Sequence, residues 1–255
     1  MKRLTNLLPP IILIAALLGL WEFACRAYQI PAYRLPPPSA VALAFTNNAP
    51  LLLSSAWITL STALIALVMV SLFGTLFALA VATSATIDRA IKPLAVMIQV
   101  TPVVAIAPLA VIWAGLDHPH RAVIGLAAIV AFYPIFSGAL TGLKSADPDL
   151  ERLFDLYGAN PIQRLLRLRL PAAVPFILEG HKVGAGQAIV GAVVAEFVAG
   201  SGDAQGLAWR ILEASNRLQT ARMFAALAML ALMGAALYAL LEQTEKFALR
   251  WWRGR

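Results

Sequence analysis

Charge is scarce in this chain. Asp, Glu, Lys and Arg make up only 13% of its 255 residues, against roughly 25% in an ordinary soluble domain. With 60% hydrophobic residues and a mean hydropathy of +0.78, that deficit argues against a soluble fold and for a polytopic membrane protein. Cysteine is scarcer still. Cys25 stands alone, which excludes an intramolecular disulfide and a cysteine metal cluster; its expected role is packing within the first apolar run. No GxxxxGK[ST] occurs, so the chain carries no phosphate loop of that type and is expected to bind no nucleotide cofactor itself. Two of its three histidines, His118 and His120, fall in "DHPH". One short cluster makes a poor metal site, and a wet outer loop is the expected setting, with no metal. No Ser/His/Asp triad or catalytic carboxylate pair can be assembled, so the chain is not expected to be an enzyme. The net charge of +7 lacks the aromatic-interleaved basic stripe of a nucleic-acid binder. Basic loops beside membrane lipid account for it instead.

What is present is a succession of apolar runs. The length suits one all-α membrane domain over residues 1–255, at about 20 residues per crossing. Six spans are expected: Leu7–Ala27, Ala56–Thr83, Leu94–Leu116, Ala122–Leu143, Phe176–Ala199 and Met223–Leu241. A Pro-rich loop and a short surface helix, with Ser39 placed to cap it, follow the first. "GSGDAQGLAWRILEASNRLQT" reads as a Gly-rich connection with a short amphipathic helix before the last. The third run contains "TPVVAIAP", where Pro102 and Pro108 each remove a backbone donor and free a carbonyl upstream. Such groups are tolerable only beside protein or water, so Gln99, Thr101, Pro102 and Pro108 are candidates for the wall of a pathway. Glu196, towards the outer end of the fifth run, has two readings: a structural anchor to a neighbouring helix, or a pathway contact. Glu179 and Lys182, three residues apart, are expected to pair. Gly184, Gly186 and Gly191 suggest close helix packing.

Basic residues divide about two to one between the two sets of loops, and the richer set includes both termini. The positive-inside rule then places the N- and C-termini in the cytoplasm. The same side receives "DPDLERLFDLYGANPIQRLLRLRLP", residues 147–171, which reads as a helical hairpin. Asp147 and Pro148 suit the N-cap and first position of one helix, with Asp149 and Glu151 in its first turn. Gly158 is a stop. Asn160, Pro161 and Gln163 form a capping-box pattern for a second helix, which is expected to end before Pro171. A mere connector needs only a few residues; a doubly capped hairpin suits a docking surface.

"GANPIQRLLRLRLPAAVPFILEG" resembles the cytoplasmic signature loop of bacterial ABC-importer permeases, with Gly158, Leu170 and Pro171 at matching places. Where that pattern has Glu-Ala-Ala, this chain has Arg152, Leu153 and Phe154. "PLAVMIQVTPVVAIAPLAVIWAGL" and "GAVVAEFVAGSGDAQGLAWRIL" are similar to regions of the sulfonate/nitrate/taurine-type permeases, so the resemblance spans nearly the whole chain. "LFDLYGA" looks most like a branch importing thiamine-precursor pyrimidines or related vitamins. The resemblance implies a homodimeric permease in the bacterial inner membrane, two separate ATPase subunits that use the ATP, and a periplasmic or lipid-anchored solute-binding protein. It further implies that Glu151, Arg152, Asp155, Tyr157, Gly158, Ala159, Asn160 and Gln163 meet the ATPase. Two rival readings are weaker. A stand-alone secondary transporter driven by an ion gradient would want carboxylates at mid-depth, where Glu196 is not expected. A membrane enzyme would need a polar catalytic cluster.

Overall fold

A computed structural model describes residues 2–115, 117–199 and 204–253. Leu116, the glycine-rich stretch 200–203 and Arg255, which figured in the expectations above, lie outside the described residues. Among the described residues all regular structure is helical, as expected. The elements are α1 (Lys2–Ala27), α2 (Pro38–Asn47), α3 (Ala49–Ala82), α4 (Ala85–Val100), α5 (Val103–Ala114), α6 (Pro119–Leu143), α7 (Pro148–Leu156), α8 (Pro161–Arg164), α9 (Leu170–Ala199), α10 (Leu207–Asn216) and α11 (Thr220–Arg253). Five stretches are long and apolar enough to cross a membrane: Leu8–Ala27, Ala49–Ala82, Pro119–Leu143, Pro161–Ala199 and Thr220–Arg250.

The expected third span is not one helix. It is the pair α4 and α5, bent by 94° at the break between them, and it makes a sixth crossing only if the pair crosses together. The cause is local. Pro102 has no N–H, and its ring drives the preceding residue out of the helical region. Thr101 accordingly takes φ −69° and ψ 126°, and its hydroxyl donates to the Met97 carbonyl at 2.6 Å, sealing the end of α4. Pro108 stays inside α5.

The second helix of the hairpin does not end before Pro171. It passes through a π-helical turn, Leu165–Arg169, directly into α9. The wider turn is the physical reason. A proline in a regular helix presses its ring on the carbonyl four residues back, whereas here the Leu170 N–H reaches the Leu165 carbonyl and the turn opens just before Pro171. The helix from Pro161 to Ala199 is therefore one continuous element of 39 residues. Ser39 also departs from expectation. It lies inside α2, whose N-cap is Pro37, and Glu22 of α1 accepts its N–H at 3.0 Å and its hydroxyl at 2.9 Å. A carboxylate from another helix thus serves the start of α2.

The centre of the bundle is the antiparallel contact of α6 with α9. A Cβ built on Gly138 would lie 2.9 Å from the Gly180 Cα, and one on Gly180 would lie 2.8 Å from the Pro134 carbonyl oxygen. Gly142 meets Ala173, Gly184 meets Ile135 and Gly191 meets Ala127 in the same way. Gly184 and Gly191 thus serve the close packing expected of them. Gly186 faces open space. In lipid, where apolar burial does not drive helices together, this close approach is what dispersion between backbones requires. Helix α3 lies against the same pair, where Phe77, Phe132 and Phe136 cluster with ring centroids 5.4–6.3 Å apart. Cys25 is buried near the far end of α1.

Gly180→Ala places its new methyl on backbone atoms that cannot rotate away. It should destabilise the protein by about 1–3 kcal/mol, the usual cost of overpacking. Gly125→Ala, on the open face of α6, should be neutral. Thermal unfolding of both variants in detergent measures the difference.

Candidate functional site

The hairpin forms because its two turns are capped by their own side chains. Asp147 accepts the Asp149 N–H at 2.8 Å. Asn160 accepts the Gln163 N–H at 2.8 Å while Gln163 accepts the Asn160 N–H at 3.1 Å, which completes the capping box. Between them Gly158 takes φ +63°, a conformation that costs any side chain with a Cβ.

A carboxylate network invisible in the linear pattern then fixes the angle between the two arms. Glu151 of α7 receives Arg169 at 2.6 Å and Arg164 at 3.4 Å, and Asp155 receives Arg164 as well. Glu151, Asp155, Asn160 and Gln163 therefore hold the hairpin's shape from within. Arg152 points outward and pairs with Asp149 on its own helix. The tip presents Leu156 and Tyr157, 85% and 83% exposed. Beside them Leu153, Phe154, Tyr157, Ala159, Gln163 and Arg167 line a shallow cavity of about 300 Å³. An internally braced, partly apolar knob standing off the end of a membrane bundle is suited to mechanical docking.

At the opposite end of the bundle α10 is held by its N-terminus. Thr59 of α3 accepts the Leu207 N–H at 2.9 Å, and Glu196 of α9 accepts the Ala208 N–H at 3.0 Å. Gly206 packs so closely on both side chains that a Cβ there would collide with them. Glu196 is 1% exposed. It is turned into the protein, where its carboxyl oxygen accepts from the N-terminal turn of α10, so the anchoring geometry is the one present. Sequence reasoning missed Thr59 and Gly206; the only signal was a hydroxyl inside an apolar run.

Further along α10, Glu213 binds Arg210 at 3.0 Å, Arg217 at 3.1 Å and Arg222 at 3.6 Å. The hydrogen bond from Arg210, followed by the charges of Arg222 and Arg210, holds its carboxyl below the usual range. Arg210 also donates to Ser55 at 2.9 Å, tying α10 to α3 a second time.

The remaining candidates divide. Gln99 is exposed just before the α4–α5 break, Thr101 and Pro102 form that break, and Pro108 lies on the exposed face of α5. The buried cluster containing Ala107 and Ala195 seats α5 beside the C-terminal part of α9, yet Glu196 itself is engaged by α3 and α10. The pair Lys182–Glu179 forms at 2.5 Å, and Glu245 of α11 joins it at 2.9 Å, a partner that spacing could not reveal. Asp88 bridges Lys92 and Lys144, pinning α4 to the end of α6. His118 and His120 stand at the start of α6. Among the described residues no three His, Cys, Asp or Glu side chains gather as metal ligands.

The fold is an all-helical bundle with five or six apolar crossings. It superposes on a chain in the crystal structure of an amino acid ABC transporter with histidines, with a TM-score of 0.64 and 16% identity over 82% of this chain and 97% of that one. More particularly, the chain belongs to the family described as binding-protein-dependent transport system inner membrane component, which matches residues 71–247. It is 32% identical to a probable ABC transporter permease protein of Haemophilus influenzae, over 91% of this chain and 93% of that one. It is 29% identical to the formylaminopyrimidine transport permease protein ThiX of Halalkalibacterium halodurans, over 98% of each. The riboflavin transport system permease protein RibX of Chloroflexus aurantiacus is 32% identical, over 92% and 87%. The chain is thus an ABC transporter permease subunit.

Glu196→Ala leaves the buried Ala208 N–H without an acceptor, and the protein should lose about 1–3 kcal/mol. Glu196→Gln keeps an oxygen for that N–H and should fall between the two. Thermal unfolding of the purified variants, ranked wild type, Gln, Ala, checks this.

Proposed function

We propose that this chain is the permease of an ATP-driven importer whose hairpin docks into a separate ATPase subunit. The hairpin carries the reading. It is braced internally, it presents an apolar tip, and its second arm is the start of α9 itself. A push on residues 156–160 moves that continuous helix, and the glycine contacts carry α6 with it. ATP-driven closure of two ATPase subunits then switches access through two copies of the permease. The chain binds no cofactor in this scheme; the ATP belongs to its partner. Both termini and the hairpin lie on the cytoplasmic side, a placement that the distribution of basic residues supports, and a solute-binding protein delivers cargo at the opposite end. The cargo is a pyrimidine related to thiamine precursors, or a similar vitamin. The full-length similarity to a formylaminopyrimidine permease supports this choice over sulfonate, nitrate or taurine. An ion-coupled secondary transporter is disfavoured because Glu196 is committed to the end of α10.

Gly158→Val forces a branched side chain to positive φ, costing about 1 kcal/mol or more at the turn. In vesicles holding permease, ATPase and binding protein, it should abolish uptake and the stimulation of ATP hydrolysis by the binding protein, with membrane insertion intact. Normal uptake with normal stimulation would sink the coupling role. Accumulation by purified permease alone on an ion gradient would sink the importer assignment.

A further inference from the structure

Where α4 breaks from α5, a cavity of about 390 Å³ opens between the break, the middle of α6 and the middle of α9. Its walls are chiefly Val and Ile. Two carboxamides interrupt them, Gln99 from α4 and Gln187 from α9, and no lining residue is ionisable. Both amides are exposed. Gln187 lies about 18 Å of helix from Ala199, deep within a span. A polar side chain at that depth is costly against lipid and belongs to a cavity or a helix contact. Val130 and Pro134 line the same cavity. Because residue 134 is proline, the Val130 carbonyl lacks its usual donor four residues on, and an acceptor is left beside the amides.

We infer that this cavity is a solute-binding subsite of the permease, built for a neutral, planar heterocycle that offers a donor and an acceptor side by side. The inference rests on the importer reading above and adds its selectivity. A carboxamide supplies one acceptor and two donors. It therefore pairs in two-pronged fashion with an amino group next to a ring nitrogen, as Gln does with adenine. The Val and Ile walls take the ring faces. A sulfonate or nitrate entering the same cavity would shed water with no cation to replace it, and a buried unpaired charge is strongly disfavoured. The subsite thus selects against charged solutes, anions and zwitterions such as taurine alike, because it has no ionic partner for either charge.

The test uses the complete transporter, permease with ATPase and binding protein, in vesicles, with a formylaminopyrimidine and taurine as probes. Gln187→Leu and Gln99→Leu should each lower pyrimidine uptake about tenfold or more, the loss of one or two hydrogen bonds. Assembly and the stimulation of ATP hydrolysis by the binding protein should be retained. In a Cys25→Ser background, Val190→Cys places a thiol in the cavity wall, and pyrimidine but not taurine should slow its alkylation. Pyrimidine uptake unaffected by both Leu variants overturns the subsite while leaving the importer intact. Loss of the assembled complex in both Leu variants assigns the amides to helix association and overturns it too. Taurine uptake by the unaltered transporter overturns the selectivity against charged solutes, and uptake of neither solute overturns the substrate reading beneath it.

Discussion

Helices α6 and α9 meet at a distance that requires glycine on at least one side of each contact, and most of the architecture hangs on that contact. Apolar side chains gain nothing by leaving lipid for protein, so association in a bilayer rests on close packing and on polar pairs. Gly138 against Gly180, Gly142 against Ala173 and Gly191 against Ala127 supply the packing. Once the two helices are seated, α3 lies across them with Gly74 against Ile135, and α5 fills the outer corner through Ala107 and Ala195. The α4–α5 break, made locally by Pro102, leaves a cavity open on the flank of α6 and α9.

Polar interactions are concentrated at the two ends, where they set the positions of the parts that protrude. At one end Glu151, Arg164 and Arg169 fix the hairpin to the root of α9. At the other, Thr59 and Glu196 fix α10, and Glu213 gathers three arginines beside it. The same helix, α9, carries an anchor at each end. A single element of 39 residues, with the π turn before Pro171 near its start, thus connects the hairpin to the anchor of α10.

That irregularity and the Thr101–Pro102 break show the same residue type acting in opposite ways. Pro102 ends a helix because Thr101 can adopt an extended conformation and its hydroxyl closes the turn behind it. Pro171 does not end one, because the preceding turn widens and the Leu170 N–H finds a carbonyl five residues back. The difference lies in which backbone partners the surroundings leave available.

The sequence by itself determined the class of the fold, the apolar runs and the hairpin with its caps. These depend on composition and on residues within four positions of one another: Asp147 with Asp149, Asn160 with Gln163, Gly158 at its turn. It did not determine that the hairpin continues into α9, since Pro171 read locally is a stop. Nor did it reveal how α10 is anchored, because Thr59 lies 148 residues from the amide it accepts, and no periodicity encodes a contact of that range. Gly184 and Gly191 were recognisable as packing glycines, but Gly186, only two residues from Gly184, faces open space. Which face of α9 meets α6 was settled only when the helices packed, by the fit of backbone to backbone.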